Sequence, residues 1–204
     1  MNAQAYWDRI YTEKAPNQVS WYRPHLEASM ALIERSGAGR SASIIDVGAG
    51  EATFVDDLLA HDYSELTVLD ISQAAIAASK KRLGAAAERV HWLVADITHA
   101  ELEPSAYDIW HDRAVFHFLT AAADRRAYVR QVIRSVKRGG HIIISAFGPE
   151  GPTRCSGLEV VRYDAESLHA EFGASFRLIS SSRQMHETPF GTTQQFLYCH
   201  CVLQ

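Results

Sequence analysis

From residue 42 onward, short apolar runs alternate with segments in which apolar residues recur at helical spacing. The apolar runs predict strands at Ser43–Val47, Leu66–Leu69, Val90–Val94, Tyr107–Trp110 and His141–Ala146. The periodic segments predict helices at Ala52–Ala60, Gln73–Leu83, Ala121–Val136 and Asp164–Phe172. Strands that are apolar throughout and alternate with helices are typical of a parallel sheet that helices cover on both faces.

The two ends of the chain depart from this alternation. Phe176–Ser182 and Gln194–Val202 are predicted strands with no helix between them, which indicates an antiparallel pair at one sheet edge. Residues 1–41 are rich in aromatic side chains and predict helices that cover the ligand side. The predicted fold is therefore α/β and Rossmann-like, with a seven-stranded, mostly parallel sheet, helices on both faces and an antiparallel C-terminal strand pair.

Composition narrows the class of protein. With 204 residues, the chain is expected to form a single domain with three parts. Residues 1–41 are predicted to form an N-terminal helical cover over the ligand site, residues 42–146 the ligand-binding core, and residues 147–204 a substrate loop, a helix and the antiparallel strand pair. A net charge of -4 does not indicate the excess of positive charge that is typical of nucleic-acid-binding proteins. No window is apolar enough for a membrane helix, and the N-terminus lacks a signal peptide, so a cytoplasmic location is expected. The three cysteines are expected to be reduced, and no histidine spacing predicts a metal site.

The segment after the first predicted strand carries the main chemical signal. Asp46 is followed by Gly48 and Gly50, a pattern typical of a tight turn beneath a ligand, where a Cβ would block the close approach of the ligand. A dinucleotide-binding turn would have a third glycine near the position of Thr53. It would also avoid an acid beside the phosphates. The pattern favours a cofactor that carries positive charge.

Two further predicted strands end in carboxylates, Asp70 and Asp96. Because parallel strands present their carboxyl ends at one edge of a sheet, Asp46, Asp70 and Asp96 are expected to line one site. Asp70 follows Gly48 by 22 residues, the spacing at which an acid reaches a ribose hydroxyl pair. Asp96 could accept a hydrogen bond from an exocyclic amine while Ile97 packs on a purine ring. A plain tight turn and a dehydrogenase remain as weaker alternatives.

These motifs resemble those of the class I S-adenosylmethionine-dependent methyltransferases. The resemblance rests on Asp46-x-Gly48-x-Gly50, Leu69-Asp70, Ala95-Asp96-Ile97 and Tyr107-Asp108-Ile109, within about residues 40–146. It implies S-adenosylmethionine as cofactor, with the methionyl part along Gly48, Ala49 and Gly50 and the ribose on Asp70. It also implies that adenine lies between Ile71 and Ile97, that Asp96 binds its amine, and that Asp46 supports the glycine turn.

The loop after the fourth strand bears on the acceptor. Asp112-Arg113-Ala114 is similar to the Asp-Lys-Gly step of protein-lysine methyltransferases, but the following Val115-Phe116-His117-Phe118 departs from that pattern. Asp112, Arg113 and His117 are the predicted catalytic residues. His117 is the candidate general base, and a structural imidazole is the equal alternative. His111 is assigned to strand packing. No two prolines are adjacent, which disfavours the nucleobase- and glutamine-methylating relatives.

The remaining candidates surround the predicted pocket. Trp21 and Tyr22 could pack over the cofactor, or could close the N-terminal helix onto the core. Four residues after the fifth strand are predicted to contact the acceptor: Phe147, Cys155, Arg162 and Tyr163. For Cys155 a packing role is favoured over a nucleophilic one, and Arg162 could instead bond the loop backbone.

The predicted function is methyl transfer from S-adenosylmethionine to a small-molecule acceptor. A protein-lysine acceptor is the main alternative, and a catalytically silent, cofactor-binding partner subunit is a second one. Neither nucleic acid nor membrane is an expected partner.

Overall fold

The computed structural model describes residues 3–204. Six α-helices lie within them: α1 (Ala3–Glu13), α2 (Glu27–Arg35), α3 (Phe54–Ala60), α4 (Gln73–Leu83), α5 (Ala122–Ser135) and α6 (Ala165–Phe172). The first five strands are β1 (Ser43–Val47), β2 (Glu65–Asp70), β3 (Val90–Val94), β4 (Tyr107–Arg113) and β5 (Val136–Phe147). The last four are β6 (Arg154–Cys155), β7 (Leu158–Glu159), β8 (Phe176–Glu187) and β9 (Thr193–Leu203).

Seven strands form one sheet in the order β3-β2-β1-β4-β5-β9-β8. The first five are parallel to one another, whereas β9 is antiparallel to β5 and to β8. The predicted fold class is thus confirmed. The winding of the chain reverses between β1 and β4, and ligands of open parallel sheets bind at such a reversal, beyond the carboxyl ends of the strands.

Two apolar layers hold the helices to the sheet. On one face α5 and α6 pack on the strands through Tyr128, Val132 and Phe172. On the other face α2, α3 and α4 pack through residues such as Ile33 and Phe54. Successive residues of a strand point to opposite faces. In β4, Trp110 therefore lies in the first layer and Ile109 in the second.

Local sequence explains where the helices beside the site begin and end. The hydroxyl of Ser72 accepts the N–H of Ala75 at 3.1 Å and caps α4, which Gly84 terminates with a positive φ of 57°. The carboxylate of Asp164 accepts the N–H of Ser167 at 2.8 Å and caps α6. These caps set the residues at which α4 and α6 begin.

Most predicted boundaries agree with the structure, and the strand ends show the differences. β5 begins at Val136 and not at His141, because Val136 pairs with Tyr107 and the ammonium of Lys137 lies 2.8 Å from the carboxylate of Asp108. β4 runs on to Arg113 and β8 to Glu187, since each has a neighbouring strand to pair with. The short β6–β7 hairpin had no signal in the sequence.

No helix within residues 3–204 is long and apolar enough to cross a membrane. Cys155, Cys199 and Cys201 are buried free thiols.

Candidate active site

A cavity of about 480 Å³ lies beyond the carboxyl ends of the parallel strands. Asp46, Asp70 and Asp96 from β1, β2 and the segment after β3 all line it, as the sequence predicts. Gly48, Ala49, Ile71 and Ile97 also contribute to its wall. The cavity continues past the ends of β4 and β5, where Arg113 and Phe147 line it. It is large enough for a cofactor-sized ligand.

The glycine turn is held in place by β2 and by Asp70. The N–H of Gly48 donates to the carbonyl of Leu69 at 2.7 Å, and the N–H of Gly50 donates to Asp70 Oδ2 at 2.8 Å. Asp70 Oδ1 accepts the N–H of Ser72 at 2.7 Å. Asp70 lines the cavity, and each of its carboxylate oxygens has a second lone pair beyond the one that accepts an N–H, which suits a pair of ribose hydroxyls. Burial raises the pKa of Asp70 to about 6, although the N–H groups of Ser72 and Gly50 oppose the shift.

Glycine is required at positions 48 and 50 because neighbouring side chains of the protein leave no room for a Cβ. Both have positive φ, 67° at Gly48 and 55° at Gly50. A Cβ on Gly48 would lie 1.8 Å from Cγ2 of Val115, and one on Gly50 would lie 2.3 Å from the hydroxyl of Tyr11. The sequence-based reason, close approach of a ligand, is therefore incomplete, because these side chains occupy the space above the turn. Gly50 itself does not line the cavity.

Asp46 belongs to a buried hydrogen-bonded chain. Its Oδ1 lies 2.7 Å from Nδ1 of His111, and Nε2 of His111 lies 2.8 Å from the hydroxyl of Ser29 on α2. All three residues are buried, and His111 and Asp46 line the cavity. His111 is therefore more than a packing residue of β4. It joins the N-terminal cover to the acid beneath the glycine turn.

The end of the cavity beside β3 combines a carboxylate with apolar side chains. Asp96 Oδ1 accepts the N–H and the hydroxyl of Thr98 at 2.9 and 2.7 Å. The Asp96 side chain is 44% exposed, whereas Ile97 is buried. A half-exposed carboxylate that can accept a hydrogen bond, beside an apolar side chain, fits a purine ring with an exocyclic amine. Together with Asp70 and the turn, this end of the cavity fits S-adenosylmethionine.

Helix α1 covers the cavity and is fixed at two points. Asp8 Oδ1 accepts the hydroxyl of Ser72 at 2.7 Å and the N–H of Ala74 at 3.1 Å, at the start of α4. The hydroxyl of Tyr6 donates to the carbonyl of Ser156 in the β6–β7 hairpin. The cover thus bridges the cofactor end of the cavity and the hairpin.

An aromatic cluster forms the inner face of this cover. The ring of Trp7 lies 6.0 Å from that of Trp21 and 5.2 Å from that of Phe118, measured between centroids. Trp7, Tyr11, Trp21 and Phe118 line the cavity, but Tyr22 does not. Of the two predicted cover residues, only Trp21 is therefore placed to contact a ligand. Trp7 and Tyr11 belong to the predicted cover, but neither they nor Phe118 were predicted as site residues, since nothing local distinguishes them from core aromatics.

Two of the three predicted catalytic residues lie outside the cavity lining. Asp112 points to the opposite face of β4 and accepts hydrogen bonds from the N–H groups of Val115 and Phe116 and from the hydroxyl of Tyr128. Burial raises the pKa of Asp112 to about 6. Its contacts assign it to holding the loop after β4. Arg113, on the other face, does line the cavity.

His117 is the other residue outside the lining. Its Nδ1 accepts the N–H of Phe147 at 3.2 Å, and its ring stacks on that of Phe147 with centroids 4.4 Å apart. Burial lowers the pKa of His117 to about 3, with a further contribution from the charge of Arg113. An imidazole this weakly basic and this enclosed is a poor general base. The structural alternative fits the geometry.

Of the four residues that were predicted to contact the methyl acceptor, two line the cavity and two do not. Phe147 and Cys155 line the cavity, and burial raises the pKa of the Cys155 thiol to about 11, which leaves it unreactive at neutral pH. Arg162 instead donates to the carbonyls of Pro149 and Gly151, and Tyr163 is buried in the apolar layer beneath α5 and α6. These last two residues shape the loop after β5 and do not line the cavity.

Replacement of His117 by leucine is expected to lower the free energy of unfolding by about 1–3 kcal/mol, because the buried N–H of Phe147 loses its acceptor. Binding of S-adenosylhomocysteine to the folded variant should change less than about twofold. Urea unfolding and titration calorimetry measure the two quantities. His91→Leu on the exposed side of β3 is the control. Retained stability with lost turnover would restore His117 as a base.

Comparison with known proteins agrees with this geometry. A family described as "Methyltransferase domain" matches residues 45–142. Nodulation protein S of Rhizobium tropici is 27% identical over 128 residues, covering 63% of this chain and 51% of that protein. The eEF1A lysine and N-terminal methyltransferase of Mus musculus is 20% identical over 138 residues, covering 68% of this chain and 19% of that protein. The matches thus span about half of the first relative and about a fifth of the second.

A solved structure has the same fold. It is the 1,6-didemethyltoxoflavin-N1-methyltransferase of Burkholderia thailandensis with bound 1,6-didemethyltoxoflavin and S-adenosylhomocysteine. Its TM-score is 0.70 at 19% identity, with 96% of this chain and 81% of that chain covered. The sequence motifs, the methyltransferase-domain match at residues 45–142 and the shared fold together support a class I S-adenosylmethionine-dependent methyltransferase. The cofactor prediction, S-adenosylmethionine, is confirmed with it.

Proposed function

We propose that this chain transfers a methyl group from S-adenosylmethionine to a small-molecule acceptor. When bound, the cofactor supplies an electrophilic methyl group on a positively charged sulfur. Asp70 would hold the ribose hydroxyls, and Asp96 with Ile71 and Ile97 would hold the adenine. Asp46, positioned by His111, would support the turn at Gly48, Ala49 and Gly50 beneath the methionyl part.

The observation that carries the small-molecule proposal is the makeup of the cavity beside β4 and β5. Aromatic side chains line this end together with Arg113, the one lysine or arginine that the described residues contribute to the cavity lining. An enclosed aromatic site excludes water and aligns a compact acceptor with the methyl group. A fixed guanidinium would repel the ammonium of a lysine side chain. The size and charge of the site therefore favour a small molecule over a protein lysine.

The relatives name both kinds of acceptor. The mouse relative is described as a lysine and N-terminal methyltransferase, which keeps a protein acceptor as the alternative. The Burkholderia neighbour is described as a 1,6-didemethyltoxoflavin-N1-methyltransferase, and it supports the proposal only at the level of the fold. A silent, cofactor-binding subunit is the remaining possibility.

The test is incubation of the purified chain and methyl-tritiated cofactor with a bacterial lysate, followed by separation by molecular mass. We expect label in the low-mass fraction, and less label with an Asp70→Ala variant at the same subsaturating cofactor concentration. Label in protein bands would support the lysine alternative. Cofactor binding without transfer to any fraction would support the silent subunit.

A further inference from the structure

Four carboxylates line the cavity. Three of them, Asp46, Asp70 and Asp96, belong to β1, β2 and the segment after β3, and the fourth, Asp124, lies in the first turn of α5. Past the reversal in strand order, at the ends of β4 and β5, Arg113 is the only lysine or arginine in the lining that residues 3–204 contribute. The acids suit the cationic cofactor, and the arginine lies where the acceptor would bind.

Arg113 has only neutral partners. Its Nε donates to the hydroxyl of Tyr198 at 3.2 Å, and its Nη1 donates to the carbonyl of Trp21 at 3.0 Å. Its guanidinium carbon lies 4.8 Å from the centroid of the Phe196 ring. No carboxylate in the described part of the chain forms an ion pair with it. A guanidinium has five N–H donors, and these contacts use two of them.

A half-buried cation without a counter-ion is costly unless a ligand supplies the charge. The groups around Arg113 do not supply it. His117 and His186 lie close enough for the charge of Arg113 to contribute to lowering their pKa values, after the larger effect of burial. An imidazole carries no negative charge, and no carboxylate of the described residues pairs with Arg113, so its positive charge is uncompensated. The three contacts nevertheless fix the guanidinium in position, which preorganises it for an anion.

Apolar side chains also line this end of the cavity. They include Trp21, Phe118 and Phe147, with Leu158 from the β6–β7 hairpin. Such a surface fits the body of an aromatic or otherwise apolar molecule.

We propose that the acceptor is an anionic small molecule, with an aromatic or apolar body packed on Trp21, Phe118 and Phe147. Its carboxylate, phosphate or sulfonate binds the guanidinium of Arg113. This inference rests on the proposed function and narrows its substrate class. An anion at this position faces the cationic cofactor on one side and Arg113 on the other, so both interactions favour binding.

The test starts from the low-molecular-mass fraction of a bacterial lysate, passed at pH 7 over an anion-exchange resin. The retained and unretained pools are each incubated with the protein and methyl-tritiated cofactor. We expect labelled product from the retained pool. With the acceptor from that pool, Arg113→Gln should raise KM by about tenfold or more, the scale of a lost charge-assisted contact. Arg113→Lys keeps the positive charge but loses the planar pair of N–H donors, so its KM should lie between those of the wild type and Arg113→Gln.

Two controls separate this inference from general damage to the protein. Arg177→Gln removes an exposed arginine of β8 and should leave KM within about twofold of the wild type. Each variant should bind S-adenosylhomocysteine as the wild type does, which shows an intact fold. If Arg113→Gln fails to fold, the pool that supports labelling by the wild-type protein decides the question.

Labelling confined to the unretained pool would overturn the anionic acceptor, and so would an unchanged KM in Arg113→Gln. Either result would leave the methyltransferase function standing. Absence of labelled product from both pools would instead contradict the proposed function and this inference with it.

Discussion

Replacement of Gly48 by alanine is expected to weaken binding of S-adenosylhomocysteine by about 100-fold or more, equivalent to about 2.7 kcal/mol. A Cβ at this position would lie 1.8 Å from Cγ2 of Val115, whose branched side chain has little rotamer freedom. The φ of 67° adds strain for any residue other than glycine. The turn beneath the methionyl part must therefore move, and titration calorimetry measures the loss.

Gly37→Ala is the matched control for this prediction. Gly37 has a φ of 75°, but a Cβ there meets nothing within 4 Å, so only the backbone strain is shared. Its affinity should stay within about twofold of the wild type while its stability falls. Val115→Ala removes the colliding Cγ2, so the double variant Gly48→Ala/Val115→Ala should recover part of the affinity. Wild-type affinity in Gly48→Ala alone would show that the turn does not support the cofactor.

The second large effect is expected at Asp70. Asp70→Ala should weaken binding of S-adenosylhomocysteine by about 1–3 kcal/mol, because it removes the acceptor for the ribose hydroxyls and the anchor of the Gly50 N–H. Asp57→Ala, an acid on α3 that does not line the cavity, serves as the control. An unchanged dissociation constant in Asp70→Ala would place the ribose elsewhere.

The same residue predicts a pH dependence. The ionised carboxylate accepts hydrogen bonds from hydroxyls, and burial raises its pKa to about 6. Affinity for S-adenosylhomocysteine should therefore be constant above pH 7 and should fall as the pH drops below about 6, where the carboxyl becomes protonated. Calorimetry between pH 5 and pH 8 measures this slope. The affinity of the Asp70→Ala variant for S-adenosylhomocysteine should not change over the same pH range.

The sequence specified the sheet because its signals were local. Ser43–Val47, Gln73–Leu83 and Val90–Val94 have the predicted bounds, since an apolar run or a capped, alanine-rich helix defines each of them. The strand-end acids could be placed for the same reason, as carboxyl ends of parallel strands share one edge. The early start of β5 was missed because pairing with β4 outweighs the weak strand propensity of Gly139 and Gly140.

The acceptor side was harder to predict because it depends on which way each side chain points. Within β4 the alternation of the strand sends His111 and Arg113 to the cavity and Asp112 to the opposite face. Because Ile109 and Trp110 point to opposite faces of β4, the same alternation predicts the faces of residues 111–113 once β4 is known to extend to Arg113. His117 and Tyr163 follow strands without periodicity, so only long-range packing fixes them. Tyr11 reaches Gly50 from a helix 39 positions earlier, with no local signal.

The most direct test of the account is titration calorimetry of the purified chain with S-adenosylhomocysteine, with NADH as the control ligand. The account predicts binding of S-adenosylhomocysteine in the micromolar range and no binding of NADH. Absence of binding, or a preference for NADH, would contradict the assignment of Asp46, Asp70 and Asp96 to a methyltransferase cofactor site.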